Sequence, residues 1–412
     1  MLLSFVVVCG SERSVPAGDL DVQGVVAGRG LWAQGQETWL RGGFGRLPEG
    51  AGGAAESTAT VRGQLHLGLD WKPSELWLVH AHGVVQGEPS SYGGRRGGLV
   101  EAFAQFRPEL TPRTSLRFRV GTFFPQTSLE NVAPLWQSPY TLTLSALNTW
   151  TAEELRLTGL EAAVLWKSDR DDRFEVDGGV FGLDDTLGAL LAWRGWTLGD
   201  RLSTVGETLP LPPLKSLGPG RAFAEQQPGT RPIDELDRRP GWQARARWSR
   251  PRAADVRVAY LDTRGDRRLH TGQYAWDTSF TTAGVELRLG PSWRLLAEGA
   301  VGDTGMGPAV PGGPRVDLRF RVGYVLLSWA RGKWRVSTRV DGFRNRDLDG
   351  TAEPGQESGR AWTAAVLWQP LEALRIGAEY LDLRAQRPAA AYSAADPDTD
   401  ARRGVIELRL TF

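Results

Sequence analysis

The chain is poor in the residues that staple, reduce or ligate. Its one cysteine, Cys9, excludes an intramolecular disulfide. Methionine occurs twice and histidine four times. No run of about 18 apolar residues exists, so no helix is available to cross a bilayer, and mean hydropathy is −0.31. A β-barrel escapes that test, because only alternate residues of its strands face lipid. The net charge of +1 argues against a nucleic-acid partner. Nucleophile elbow, phosphate loop, zinc-protease helix and readable catalytic carboxylate pair are all missing, so neither an enzyme nor a cofactor is expected. Lysine is scarce as well: Lys72, Lys167, Lys215 and Lys333 stand among 49 basic residues. Arginine suits anion recognition, but GC-rich coding gives the same bias.

What the chain does have is alternation. From about residue 19, apolar and polar side chains take opposite parities in segment after segment, separated by Gly, Pro and Asp breaks. Val61, Leu65, Leu67, Leu69 and Trp71 oppose Arg62, Gln64, His66 and Asp70. Val100, Ala102, Ala104 and Phe106 oppose Glu101, Gln105 and Arg107, with Phe103 as an apolar exception. Leu116, Phe118 and Val120 oppose Arg117 and Arg119; Val256, Val258 and Tyr260 oppose Asp255 and Arg257. Val316, Leu318, Phe320 and Val322 oppose Asp317, Arg319 and Arg321; Trp334, Val336 and Val340 oppose Lys333, Arg335, Arg339 and Asp341. Polar faces carrying both charges on so many strands fit a water-filled lumen better than the outside of a soluble sandwich.

Connection lengths make a separate argument. Short breaks fall near 72–74, 110–112, 169–172, 251–252, 290–291, 331 and 370–371. Long ones fall near 30–56, 88–96, 124–152, 182–237, 263–278, 303–314, 345–357 and 385–402. Short and long alternate if 182–237 is one outer excursion, with Thr186–Trp196 in it as a short helix or apron. The fold expected is all-β: one antiparallel up-and-down transmembrane barrel over 19–412, of about sixteen strands, the size that leaves an aqueous channel. Trp71, Trp166, Trp248, Trp293, Trp329, Trp334 and Trp368 lie beside short turns, where an interfacial girdle would place them.

The last strand, Arg403–Phe412, puts Ile406, Leu408, Leu410 and Phe412 on one face. It resembles the terminal strand of bacterial outer-membrane barrels, which implies a signal read by the barrel-assembly machinery and a setting in outer-membrane lipid. Residues 1–18 read as a signal remnant or disordered N-terminus. Met1–Gly10 leaves three readings open: a clipped start, a short atypical signal, or a lipoprotein-type Cys9.

The connection 124–152 differs from the other long ones. It carries Leu129, Leu135, Trp136, Tyr140, Leu142, Leu144, Leu147 and Trp150, and no Lys or Arg lies between Gly121 and Glu154. A loop this apolar is costly in water and is expected to fold inward as a pore constriction. Val120–Asn131 and Ser138-Pro-Tyr-Thr141 resemble the corresponding region of the phosphate-selective (O/P-type) porin superfamily. That resemblance implies passive diffusion of small hydrophilic solutes through a homotrimeric pore; a plugged structural or adhesive barrel is the alternative. The loop's carboxylates are Glu130, Glu153 and Glu154, so basic partners must come from the wall: Arg117, Arg119, Arg156, Arg319, Arg321, Arg335 and Arg339. Glu130 either faces wall arginines across a transverse field or anchors the loop.

His66, His80 and His82 share a parity and read as a polar lumen cluster, with His66 opposite His80, rather than as a metal site. The glycine-rich Tyr92–Gly98 stretch lacks a following helix, and Asp396–Asp400 reads as a solvated loop tip with weak Ca²⁺ potential.

Overall fold

The structure, a computed structural model, describes residues 18–53, 55–87, 96–307, 315–350 and 353–412. The N-terminal run with Cys9 and most of Tyr92–Gly98 lie outside the described residues.

Sixteen antiparallel strands close into a barrel. They are β1 (Leu20–Gln34), β2 (Ser57–Ser74), β3 (Trp77–Gln86), β4 (Gly97–Phe106), β5 (Thr114–Phe123), β6 (Leu157–Lys167), β7 (Arg173–Gly182) and β8 (Gly241–Arg250). There follow β9 (Ala254–Asp262), β10 (Asp277–Leu289), β11 (Trp293–Met306), β12 (Val316–Arg331), β13 (Trp334–Asp347), β14 (Glu357–Leu371), β15 (Leu374–Gln386) and β16 (Asp398–Thr411). A short piece, Glu109–Thr111, pairs with the start of β5. Short and long connections alternate without exception, as the break pattern requires.

Closure is made by β1 against β16, in register from Val25↔Thr411 to Gln34↔Arg402. The Phe412 amide donates to Gly24 O (3.0 Å) and Gly24 N–H donates back (2.8 Å). A Cβ on Gly24 would lie 2.1 Å from the Phe412 ring, so the seam is tight enough to need glycine there. No sheet edge remains exposed along the seam.

The outer wall carries the apolar parity. Ile406, Leu408, Leu410 and Phe412 all point outward and are exposed, as do Val61, Leu67, Val164, Val176, Val258, Val325 and Val340. Aromatics ring the turn end, with Trp77 against Phe106 at 4.9 Å and Trp334 against Trp368 at 5.6 Å. An apolar band between aromatic girdles is the lipid-facing surface of a membrane barrel. Phe103 is explained by its neighbours: it faces inward, 4.9 Å from His80 and beneath Arg119.

Two places depart from the expected parity. At the bulge in the β3–β4 pairing Val100 turns inward and is buried with Val84 and Phe124. On β12, Leu318, Phe320 and Val322 point inward and are buried, whereas Arg319 and Arg321 point outward. The wall is tall on this side: β10 to β16 run 13–16 residues, β3 to β9 only 9–11. At about 3.3 Å per residue the difference lifts that edge by roughly 13 Å. Above the lipid band the outside meets polar surroundings, while the inside meets an apolar plug. The alternation therefore reverses within one strand, and the arginines are not lumen residues.

That plug is built by the long connections. Residues 183–240 dip into the mouth, with a short helix α2 (Ala189–Trp193). Leu187, Leu191, Trp196 and Leu198 join Leu147 and Trp150 of the 124–156 loop against Phe280, Phe320, Phe343, Leu381 and Leu383 of the wall. Trp150 makes edge contacts with Phe280 (5.2 Å) and Phe320 (5.4 Å). The segment 186–196 thus carries a short helix, Ala189–Trp193, inside the barrel mouth.

Candidate functional site: the inward loop and the lumen beneath it

The connection from β5 to β6 leaves the wall at Phe124 and crosses the lumen. Its turns are local: Ser128 Oγ accepts the amides of Glu130 (3.1 Å) and Asn131 (3.0 Å). Ser145 caps the helix α1 (Ala146–Glu154) by accepting the Asn148 amide. Leu135 and Trp136 adopt left-handed backbone, φ 58° and 55°. Leu135 is held over Gly68 of β2, where a Cβ would lie 2.4 Å from its Cδ2. Trp136 stacks on Phe124 at 4.0 Å.

Far-wall carboxylates receive the loop's free backbone amides. Glu298 of β11 accepts Leu129 N–H (2.9 Å), Asp341 of β13 accepts Ala146 N–H (3.0 Å), and Glu379 of β15 accepts Leu142 N–H. At the centre stands Arg339 of β13, fully buried. It pairs with Glu130 and Asp341 and donates to the carbonyls of Thr143 (2.7 Å) and Leu144 (3.0 Å). Glu130 also accepts Thr141 Oγ1–H (3.2 Å), Ser145 N–H (3.0 Å) and Asn148 Nδ2–H (3.0 Å). Of the two roles open to Glu130, its geometry is that of the anchor.

The remaining loop charges tie the plug. Glu153 pairs with Arg194 at 2.6 Å. Glu154 accepts Trp150 Nε1–H (2.6 Å) and the amides of Leu190 (2.8 Å) and Gly188 (3.4 Å) at the start of α2. Arg156 stacks 3.4 Å from the Phe124 ring and donates to Leu155 O (2.8 Å) and Ala152 O (3.0 Å).

Burial pushes the Glu154 carboxyl up to about 7, against the pull of its three donors. Its folded value therefore exceeds the unfolded one, and ionisation opposes docking. Stability from this group is greatest at acid pH and falls as pH rises from the unfolded value, 4.5, through about 7. The loss is on the order of 3 kcal/mol. Amide exchange protection of residues 187–198, corrected for intrinsic rates, is expected to fall between pH 5 and pH 8, and to be flat in Glu154→Gln.

At the mouth, Asp200 of the excursion lies among Arg29 of β1, Arg62 of β2 and Arg403 of β16. Glu49 pairs with Arg62 (3.1 Å) and Arg403 (2.8 Å). All five side chains are 5% exposed or less. Along β5 to β8 the inner wall has its own network: Arg117 with Glu161 (3.0 Å) and Glu175 (2.7 Å), Arg119 with Glu161 (2.7 Å), and Arg245 with Asp177 (2.5 Å).

Beneath the loop, on the short-turn side, solvent sees arginine. Arg247, Arg257, Arg288, Arg294, Arg335 and Arg375 face the lumen half-buried. Their partners Asp255, Glu286 and Glu407 are buried. Arg335 sits 5.2 Å from the Tyr140 ring, which packs with Leu129, Leu296 and Tyr324.

The expected set thus divides. Glu130 meets Arg339, and Tyr140 meets Arg335. Glu153 is in the plug, Trp136 is on Phe124, Arg117 and Arg119 serve the wall, and Arg319 and Arg321 are outside. The anchoring roles of Glu298, Asp341 and Glu379 escaped the sequence reading, although Asp341 lies on the polar face of its segment, and inward strand parity was the available signal; Asp200, in the excursion, had no such signal. His80 pairs with Asp70, which stands opposite it in register, not with His66. His66 Nδ1 instead lies 3.1 Å from His82 Nε2. Asp185, Glu235 and Asp237 bring one oxygen each within 4.8 Å of one another. Asp185 accepts the amides of Leu236 and Asp237, and Glu235 those of Leu183 and Arg238, so turn formation accounts for this group.

No protein-family model matches the chain, and no curated protein matches it in sequence. Solved structures do. The outer membrane channel DcaP of Acinetobacter baumannii superposes with a TM-score of 0.55 at 11% identity, covering 96% of this chain and 98% of that one. OmpT of Vibrio cholerae, in a trimer form, gives 0.53 at 10% identity, covering 96% and 100%. At such identities the likeness is one of fold. With the closed sixteen-stranded wall and its apolar outer band, the chain is a transmembrane barrel of the bacterial outer membrane, sharing the fold of outer-membrane channels.

Proposed function

We propose that the barrel is a porin: a narrow passage for small hydrophilic solutes and ions, with the 124–152 loop as its constriction and a preference for anions. One observation carries the preference. The lumen-facing charges that keep solvent contact beneath the loop are chiefly arginines, their carboxylates lying buried behind them. On the opposite arc stand Asp70 and His80, paired to each other. A permeating anion is drawn toward the arginine arc, where the low-dielectric wall strengthens the attraction.

The Val120–Asn131 and Ser138–Thr141 resemblance supports kinship with the phosphate-selective porin superfamily, here with arginines on the wall rather than on the loop. Assembly as a homotrimer is part of the proposal and rests on likeness to a barrel solved in trimer form. The outward face of Ile406, Leu408, Leu410 and Phe412 is proposed as the signal for the assembly machinery.

A second reading is a closed structural or adhesive barrel. The observation favouring it is the filled mouth, where the Asp200 network and the Trp150–Trp196 cluster are both out of solvent. Bilayer recording in a salt gradient separates the two. A porin gives discrete steps with an anion-signed reversal potential, reduced in Arg335→Gln/Arg375→Gln. Cation preference would overturn the arginine account, and silence the porin.

A further inference from the structure

The outside of the barrel is uncharged over most of its circumference. On β1 to β8 the outward positions of the wall are apolar or small, as with Val61, Val120, Val164, Val176 and Ala246. Outward arginines cluster on the tall side, near the long-loop ends of β12 to β16; Arg250 and Arg331 stand at short-turn ends.

The register brings like charges face to face. Arg321 of β12 stands directly opposite Arg344 of β13, and Arg319 opposite Arg346. Directly opposed like charges destabilise a sheet. Arg319 is relieved by Asp303 at 2.8 Å. Arg321, Arg344, Arg346 and, on β14, Arg360 are exposed and have no ion-pair partner among the described residues. The neighbouring loop stretches 308–314 (PAVPGGP) and 351–352 (TA) contain no carboxylate either. Among the described residues the repulsion thus has no counter-charge.

Below Arg321 and Arg344 the wall is hollowed. Ala283, Gly299, Gly323 and Gly342 form one continuous cross-strand row on the outer face. They line a groove of about 660 Å³ whose rim includes Arg321 and Arg344. Beneath the glycines come Val325, Val340 and Trp362, opposite one another in register and exposed at the top of the apolar band. Arg321 and Arg344 lie four residues above Val325 and Val340, about 13 Å along the strands. That is the level of lipid headgroups over a hydrocarbon band.

We propose that this face binds a phosphorylated lipid of the outer leaflet, its phosphate between Arg321 and Arg344 and an acyl chain in the Ala283–Gly342 groove. Guanidinium forks match phosphate oxygens in bidentate geometry. One phosphate between two opposed arginines turns a repulsive pair into two attractive ones. Arg346 stands one step above the pair, opposite Arg319, and serves a second phosphate or the sugar-phosphate there; Arg360 stands at the level of the glycine row, opposite Gly342. The apolar groove supplies what a free anion would not use.

The test uses the full-length barrel in detergent, with native mass spectrometry and lipid A, the diphosphorylated glycolipid, as probe. The native protein is expected to retain lipid A through collisional activation that strips phosphatidylethanolamine. Arg321→Gln/Arg344→Gln is expected to bind it at least tenfold more weakly, while Arg384→Gln, whose partner Asp382 already serves it, binds as the native chain does. Gly342→Leu, which enters open space in the groove and leaves the arginines, should weaken lipid A as well. Fold is checked in each variant by heat-modifiable migration. Equal binding of inorganic phosphate and lipid A, with Gly342→Leu neutral, would make this an anion site and overturn the lipid assignment. So would Arg344→Cys cross-linking between copies in lipid-free oligomers, which would make the face a subunit contact.

Discussion

Replacing Arg339 with alanine is expected to release the inward loop and to enlarge single-channel conductance several-fold. The guanidinium is fully buried and holds two carboxylates and two loop carbonyls at once. Its loss leaves Glu130 and Asp341 as uncompensated charges in a site closed to water. Breaking a buried pair from one side costs about 3–5 kcal/mol. The barrel wall does not depend on that site, since its strands are held by continuous ladders on either side of β13. The cost falls instead on the loop, whose cheapest relief is to swing into solvent. Arg339→Lys should recover little, because one ammonium cannot reproduce the fork that serves Glu130, Asp341 and the carbonyls together. Conductance and trypsin sensitivity around Arg156 report the released state. An unchanged conductance with a released loop would show that the constriction lies elsewhere.

The second large effect is expected from Asp200→Ala. Three arginines from β1, β2 and β16 converge on this one carboxylate of the excursion. Arg29 retains Glu407 (2.6 Å), and Arg62 and Arg403 retain Glu49, so the wall keeps partners and the excursion loses its tether. The penalty, again about 3 kcal/mol, lands on residues 199–204. Hydrogen exchange in that stretch should rise by two orders of magnitude, with strand amides protected as before. In recordings the variant should show longer open times with little change in ion preference, because the arginine arc beneath the loop is untouched. Together with Arg339→Ala it divides the resistance between mouth and constriction. The two sites meet at Thr143, whose carbonyl accepts from Arg339 and whose hydroxyl accepts from Arg403, so their effects on stability should depart from additivity.

The fold was legible because a membrane barrel writes its period into the chain twice. Alternation set the strands, and the strict succession of short and long connections set their number and direction. Even the awkward stretch 186–196 falls to an outer excursion by that succession, as a short helix or apron. The site was less legible. Parity separates one face from the other, but it does not say which face meets water. On β13 the polar face is the lumen, and Arg335 and Arg339 are inside. On β12, near the mouth, Leu318 and Phe320 meet an apolar plug, so the charged parity is the outer one. A plug assembled from residues over a hundred positions away decides this, and no local pattern carries it. Glu130 could be identified as a loop carboxylate needing a basic partner, yet the choice of Arg339 among seven candidates depended on three-dimensional register. The histidines show the same sensitivity: a shift of the β2–β3 pairing put Asp70, not His66, opposite His80.

The account's central claim is that an open but narrow path passes the pinned loop. Its most direct test is single-channel recording of the native barrel, refolded from detergent into a planar bilayer, beside Arg339→Ala. Small discrete steps in the native protein, enlarged in the variant, are the predicted result. A folded, heat-modifiable barrel that passes no current in either form would contradict the claim and leave the closed structural barrel as the reading of the lumen.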